Sequence, residues 1–137
     1  LLLTDLPSGA DPHLEGLITG SELDLIRLLA PTTPTDRVGA VARGGGGFVY
    51  YISRTGVTGA RQELREELGR EVDALRKAID LPIAVGFGIS TPDQAAAVAE
   101  VAEGVVVGSA LINALDVAGI EGAVDFVGRL REGMDRG

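Results

Sequence analysis

Apolar positions along the chain fall into short runs at regular intervals. Leu1–Thr4, Leu23–Ala30, Phe48–Ser53, Ile83–Gly86 and Val105–Val107 are the successive runs. Between them lie stretches with helical spacing or helix-start signals, and this alternation predicts βα units feeding a parallel sheet. Ile83-Ala84-Val85 and Val105-Val106-Val107 are apolar throughout, as strands covered on both faces should be. Helix starts are predicted at Thr33-Pro34-Thr35-Asp36, with Thr33 as the cap, and at Thr91-Pro92-Asp93-Gln94, where Gln94 completes a capping box. A long outer helix from about Arg61 to Ile79 places Leu64, Leu68, Val72, Leu75 and Ile79 on one stripe. A last helix near Gly122–Met134 carries Ala123, Val127, Leu130 and Met134 at similar spacing, and Gly9, Gly16 and Gly20 restrict the first to about Pro12–Ile18. Gly44–Gly47 reads as a turn into a strand. The whole of 1–137 is one domain.

Periodicity alone does not separate an open doubly wound sheet from part of a closed barrel. The glycines at strand ends do. Three strands finish in glycine where a helix begins: Ser53-Arg54-Thr55-Gly56-Val57-Thr58-Gly59, Val85-Gly86-Phe87-Gly88-Ile89-Ser90 and Val106-Val107-Gly108-Ser109-Ala110. Glycine lets backbone N–H groups approach an anion closely, and a helix N-terminus adds unpaired donors with partial positive charge. Each motif singly is more often a plain turn. Two on consecutive βα units, about twenty residues apart, together with the third loop, favour a barrel phosphate site, with Ser109-Ala110-Leu111-Ile112 opening a short extra helix. Neither a Walker-type loop nor a dinucleotide fingerprint is present.

Composition narrows the chemistry. The formal net charge of −8 has the wrong sign for a nucleic-acid surface. The absence of cysteine and the single His13 argue against disulfides and thiolate or histidine metal sites, and His13 reads as a surface residue. No apolar run approaches the roughly 18 residues of a membrane span. An acidic, cysteine-free chain is expected in the cytoplasm. The first residue is not Met and Leu1–Leu3 already reads as a buried strand, so an upstream part is expected.

Ala30-Pro31-Thr32-Thr33, Gly47-Phe48-Val49-Tyr50-Tyr51-Ile52-Ser53-Arg54-Thr55-Gly56-Val57-Thr58-Gly59, Val85-Gly86-Phe87-Gly88-Ile89-Ser90 and Gly108-Ser109-Ala110 resemble the tryptophan synthase alpha chain in order and spacing. Leu3-Thr4-Asp5-Leu6-Pro7 resembles that family's fourth strand and following turn. The resemblance implies an α/β fold: a partial (β/α)8 TIM barrel of five parallel strands, the fourth to eighth, with outer helices. It implies a lyase of tryptophan biosynthesis that cleaves indole-3-glycerol phosphate to indole and glyceraldehyde 3-phosphate by a retro-aldol reaction. No cofactor is implied for this chain; pyridoxal phosphate belongs to the partner beta chain, with which the full-length protein forms an α2β2 heterotetramer.

By the same resemblance Gly59, Gly88, Gly108 and Ser109 hold the substrate phosphate. Tyr50 lines the cavity, Leu2 and Phe87 pack around the indole or glycerol moiety, and Thr58 belongs to the closing loop Arg54–Gly59. Tyr50, Phe87 and Leu2 could also be plain core, Leu2 most of all. The family's catalytic Glu and Asp would precede residue 1, so no acid here takes their role; Asp5 reads as a cap for the turn after its strand. Two other readings stay open: a catalytically silent phosphate-binding half-barrel, and another phosphosugar-binding barrel. Five strands with open edges are expected to self-associate.

Overall fold

The computed structural model describes residues 1–53, 61–86 and 88–136, with backbone alone for residues 61–64. Its elements run α1 (Pro12–Thr19), β1 (Arg27–Leu29), α2 (Thr35–Arg43), β2 (Val49–Ile52), α3 (Arg61–Arg76), β3 (Ile83–Gly86), α4 (Pro92–Ala99), β4 (Gly104–Val106) and α5 (Ser109–Met134). All pairings are parallel and follow chain order, β1-β2-β3-β4. A doubly wound sheet would reverse its strand order at a switch point. None occurs among the described strands, so each βα unit steps the same way around the sheet, as in a barrel wall.

The expected first strand is reduced to one parallel bridge, Leu2 to Ile26, beside β1. Among the described residues the sheet proper therefore has four strands. Leu2 is 41% exposed and is not core. Only one row of its backbone finds a partner, because Thr4 and Asp5 already turn away.

The main core lies between the outer face of the sheet and the helices. Leu29, Val49, Tyr51, Ile83 and Val85 point outward from the strands and meet Val38, Leu68, Val72, Leu75, Val98 and Leu130. Truncating one such residue costs about 2–5 kcal/mol. Exposed pairs such as Arg129–Asp125 contribute at most about 1 kcal/mol, so burial rather than surface charge holds the helices on.

The α3 stripe behaves as its spacing predicts for Leu68, Val72 and Leu75, and Ile79 stays buried just past the helix end. The Thr91 capping box on α4 also forms. Thr33 does not cap α2: its hydroxyl accepts from the Ala30 N–H at 3.1 Å, and Pro34 occupies the cap position without a side-chain bond. The local turn after β1 captures the hydroxyl first. In α5 the buried stripe runs through Phe126, Leu130 and Gly133, leaving Val127 47% exposed. A Cβ on Gly133 would lie 2.6 Å from the Pro92 carbonyl, so glycine there lets α5 seat directly on the start of α4.

At Gly119 (φ 65°, ψ −165°) the backbone of α5 leaves helical geometry, so a short first helix precedes the outer one as the sequence suggested. That backbone region is nearly restricted to glycine. Ile112, Leu115, Val117, Ile120 and Val124 flank this break with their side chains mostly exposed. No helix among the described residues is long and apolar enough to cross a membrane.

The Gly44–Gly47 run has a steric purpose. Cβ atoms on Gly44 and Gly45 would come within 2.7 Å of the Arg27 side chain, and one on Gly46 would collide with Asp24. Arg27 is buried (4% exposed); its Nε donates to the Gly44 carbonyl at 3.2 Å and it pairs with Glu15 of α1 at 2.5 Å. Glu15 also accepts from the Gly9 N–H at 2.7 Å. One carboxylate thus ties α1, the loop before it and β1 together.

The Arg27 hydrogen bond, then the Gly9 N–H, hold the Glu15 carboxyl below its usual range. A depressed carboxylate pKa gives stability that is present above the ordinary value and lost as pH falls through the folded value. Glu15→Gln should therefore lower stability at neutral pH and lose less of it on acidification than the parent. Urea titrations at pH 7 and in the acid range check this; parallel acid profiles for the two chains would contradict it.

Candidate functional site

The carboxyl ends of β3 and β4 open into a cavity of about 570 Å³. Tyr50, Gly88, Ile89, Ser90, Val106, Gly108, Ser109, Ala110 and Asn113 line it. Its placement follows from the register. Tyr50 pairs with Ala84, and Ile52 pairs with Gly86, which pairs with Val106. Alternation along each strand puts these on the inner face, opposite the helix-covered core.

The two adjacent tyrosines go to opposite faces. Tyr51 is buried outward, 3% exposed, and donates to Glu71 of α3 at 3.0 Å. Burial, then the charge and hydrogen bond of Glu71, push its phenol well above the ordinary range, so it stays a neutral donor. Tyr50 crosses inward over Gly86: a Cβ there would lie 2.8 Å from the Tyr50 Oη and 2.8 Å from the Val106 carbonyl. Gly86, which the sequence reading passed over as part of a motif, is thus what lets the Tyr50 ring reach the cavity. Only the cross-strand register reveals it.

The other glycines do different work. Gly88 sits at φ 71°, a conformation that disfavours any side chain. Gly108 is the N-cap residue of α5, and a Cβ there would meet no atom within 4 Å. Packing does not demand glycine at Gly108; the space beside it is open. The Gly108 carbonyl accepts from the Leu111 and Ile112 N–H groups, and Ser109 and Ala110, whose amides precede these, line the cavity. Amides of a helix's first turn lack intrahelical acceptors and carry partial positive charge. The arrangement can take an anion.

Among the residues named from the sequence, the structure brings Tyr50, Gly88, Gly108 and Ser109 to one cavity. Leu2 is not among its lining residues. Gly59, Thr58 and Phe87 lie outside the described residues, as does the Arg54–Gly59 segment. Asp5 lines a separate cavity of about 600 Å³ between the Thr4–Ser8 loop and the start of α2. Among the described residues its carboxylate has no hydrogen-bond partner, so it does not cap the turn; the Ala10 N–H to Pro7 carbonyl bond closes that loop instead. His13 is exposed on α1. Ser90 and Asn113 are lining residues that the sequence reading did not single out, although Ser90 follows Gly88 by two positions and Asn113 follows Ser109 by four.

Parallel strands in chain order, outer helices and a pocket at the strand ends define a β/α-barrel protein. The comparisons with known proteins narrow that class. The sequence model of the family described as tryptophan synthase alpha chain matches residues 1–132. The tryptophan synthase alpha chain of Geobacter sp. (strain M21) is 47% identical over 141 residues, covering 100% of this chain and 53% of the relative. That of Synechococcus elongatus is 40% identical over 99% of this chain and 52% of the relative. Among solved structures, tryptophan synthase from M. tuberculosis superposes with a TM-score of 0.83 at 30% identity, over 98% of this chain and 49% of that one. The alpha chain from Legionella pneumophila gives 0.81 at 30%, over 98% and 51%. The chain belongs to the tryptophan synthase alpha chain family. It spans about half the length of the curated relatives it matches.

The contact between Gly86 and Tyr50 is directly testable. Gly86→Ala forces a methyl against the Tyr50 ring and the Val106 carbonyl and should cost about 1–3 kcal/mol. Adding Tyr50→Ala should recover part of that loss, since neighbouring substitutions are not additive. Gly108→Ala, which meets nothing, should stay within about 0.5 kcal/mol of the parent. Denaturant titration of the four chains reads all three effects.

Proposed function

We propose that the chain supplies the phosphate-binding part of a tryptophan synthase alpha barrel. Within a longer polypeptide, it would take part in the retro-aldol cleavage of indole-3-glycerol phosphate to indole and glyceraldehyde 3-phosphate. The observation that carries this reading is the convergence of Gly88, Gly108, Ser109 and Tyr50 on one cavity at the strand ends. The first-turn amides of α5 and the Ser109 hydroxyl would bind the phosphate, with Tyr50 beside the rest of the substrate. Gly59 joins the phosphate ligands, Thr58 the closing loop, and Phe87 and Leu2 the substrate wall, on the family resemblance.

A retro-aldol cleavage of this substrate needs a proton removed and a proton delivered, which positioned acids and bases perform. No acidic residue is among the described residues that line the cavity. This favours a chain that binds but does not cleave by itself, the catalytic Glu and Asp lying in a part of the protein upstream. The beta chain, in an α2β2 assembly that carries pyridoxal phosphate on the beta side, is the proposed partner and consumer of indole. The cytoplasm is the proposed location.

Titration of the chain with indole-3-glycerol phosphate should give saturable heat while indole fluorescence shows no product. Release of indole by these 137 residues alone would overturn the division of labour. Absence of binding would overturn the phosphate site.

A further inference from the structure

Resting on that phosphate reading, we infer that Asn113 is a further ligand-binding residue of the site, its side-chain amide donating to a phosphoryl oxygen. Asn113 lines the cavity together with Gly88, Gly108 and Ser109. It follows Ser109 by four positions on α5, which places both on one helical face. Helical side chains lean toward the helix N-terminus, so a residue one turn along covers the turn before it. Asn113 therefore leans back over the first turn of α5, where the unpaired amides are.

The need for such a donor follows from the charges present. None of the described residues lining the cavity carries a formal charge, so among them an anion would depend on neutral donors. The Ser90 hydroxyl is already directed to Gln94 Oε1 at 3.3 Å. Asn113 contributes two N–H donors and has no hydrogen-bond partner among the described residues. It also stands at the boundary with a neighbouring cavity of about 790 Å³, which it shares with Gly108 and Ser109 and which Asp116 lines. Ser109, Asn113 and Asp116 follow one another at four- and three-residue spacing, so Asn113 lies between the cradle and a carboxylate that would repel a phosphate. A neutral donor at this place both binds the anion and keeps its distance from Asp116.

The test compares the parent chain with Asn113→Ala and Asn113→Asp, using glycerol 3-phosphate as the probe and glycerol as the uncharged control. Asn113 is exposed, so circular dichroism should show all three equally folded. Asn113→Ala should weaken glycerol 3-phosphate binding about tenfold, the loss of one hydrogen bond to a charged group. Asn113→Asp keeps the shape but replaces the donors with a charge, and should weaken binding at least about tenfold more. Parent-like affinity in both variants, or in Asn113→Asp alone, would overturn the role of Asn113 while the phosphate site stands. A parent chain that binds glycerol 3-phosphate no better than glycerol would overturn the site itself and this inference with it.

Discussion

The parallel register of β2, β3 and β4 is the constraint on which the site depends. Pairing Tyr50 with Ala84 and Ile52 with Gly86 and Val106 sends one set of side chains to the helices and the alternate set inward. A slip of one residue in β2 would exchange Tyr50 and Tyr51. The phenol that now reaches over Gly86 would face the helix layer, and the Glu71 partner of Tyr51 would be lost. Because Val49, Tyr51, Ile83 and Val85 are each at most 3% exposed, such a slip would also turn core residues inward. The core thus fixes the register, and the register fixes what the cavity contains.

Glycine serves three separate physical ends in this chain. At Gly44–Gly46 it clears room for Arg27 and Asp24 at the amino ends of the strands, and at Gly86 for Tyr50 near the carboxyl ends. At Gly88 and Gly119 it supplies a backbone conformation that side chains disfavour. At Gly133 it permits two helices to touch. At Gly108 it is required by no neighbour, and the absence of a packing reason there is itself informative: the open side is the cavity side. The two ends of the sheet are accordingly built differently, with the buried Arg27–Glu15 pair securing one and the cavity lined by Gly88, Gly108 and Ser109 at the other. That polarity matches the general division of barrels into a stabilising face and a reactive face.

On the proposed reading, an acidic chain that takes a phosphate would do so locally. With a formal charge of −8, the long-range field of these residues opposes an anionic ligand. Salt screens that field over about 8–10 Å, while amides at a helix start act at hydrogen-bond distance. Short-range neutral donors would therefore govern the proposed site; among the described residues, none that lines the cavity is charged.

Sequence by itself determined the alternation of strands and helices, the bounds of β3, the capping box at Thr91, the one-sided stripe of α3 and the family. Each of these depends on local spacing or on a motif contiguous in the chain. It also named Tyr50, Gly88, Gly108 and Ser109, since strand-end glycines before helices have a recognisable signature. Tertiary structure decided the rest, because those matters depend on residues distant in the chain. The strand order, with no switch point among the described strands, bore out the barrel wall that the strand-end glycines favoured. Pairing across β2, β3 and β4 exposed the role of Gly86, and contacts with Arg27 and Asp24 explained Gly44–Gly46. The Ala30 N–H diverted Thr33 from capping α2, the Pro92 contact chose Gly133 over Val127 as the buried side of α5, and the single Leu2–Ile26 bridge reduced the first strand. Periodicity records which residues tend to be buried; only the fold records which neighbour each one meets.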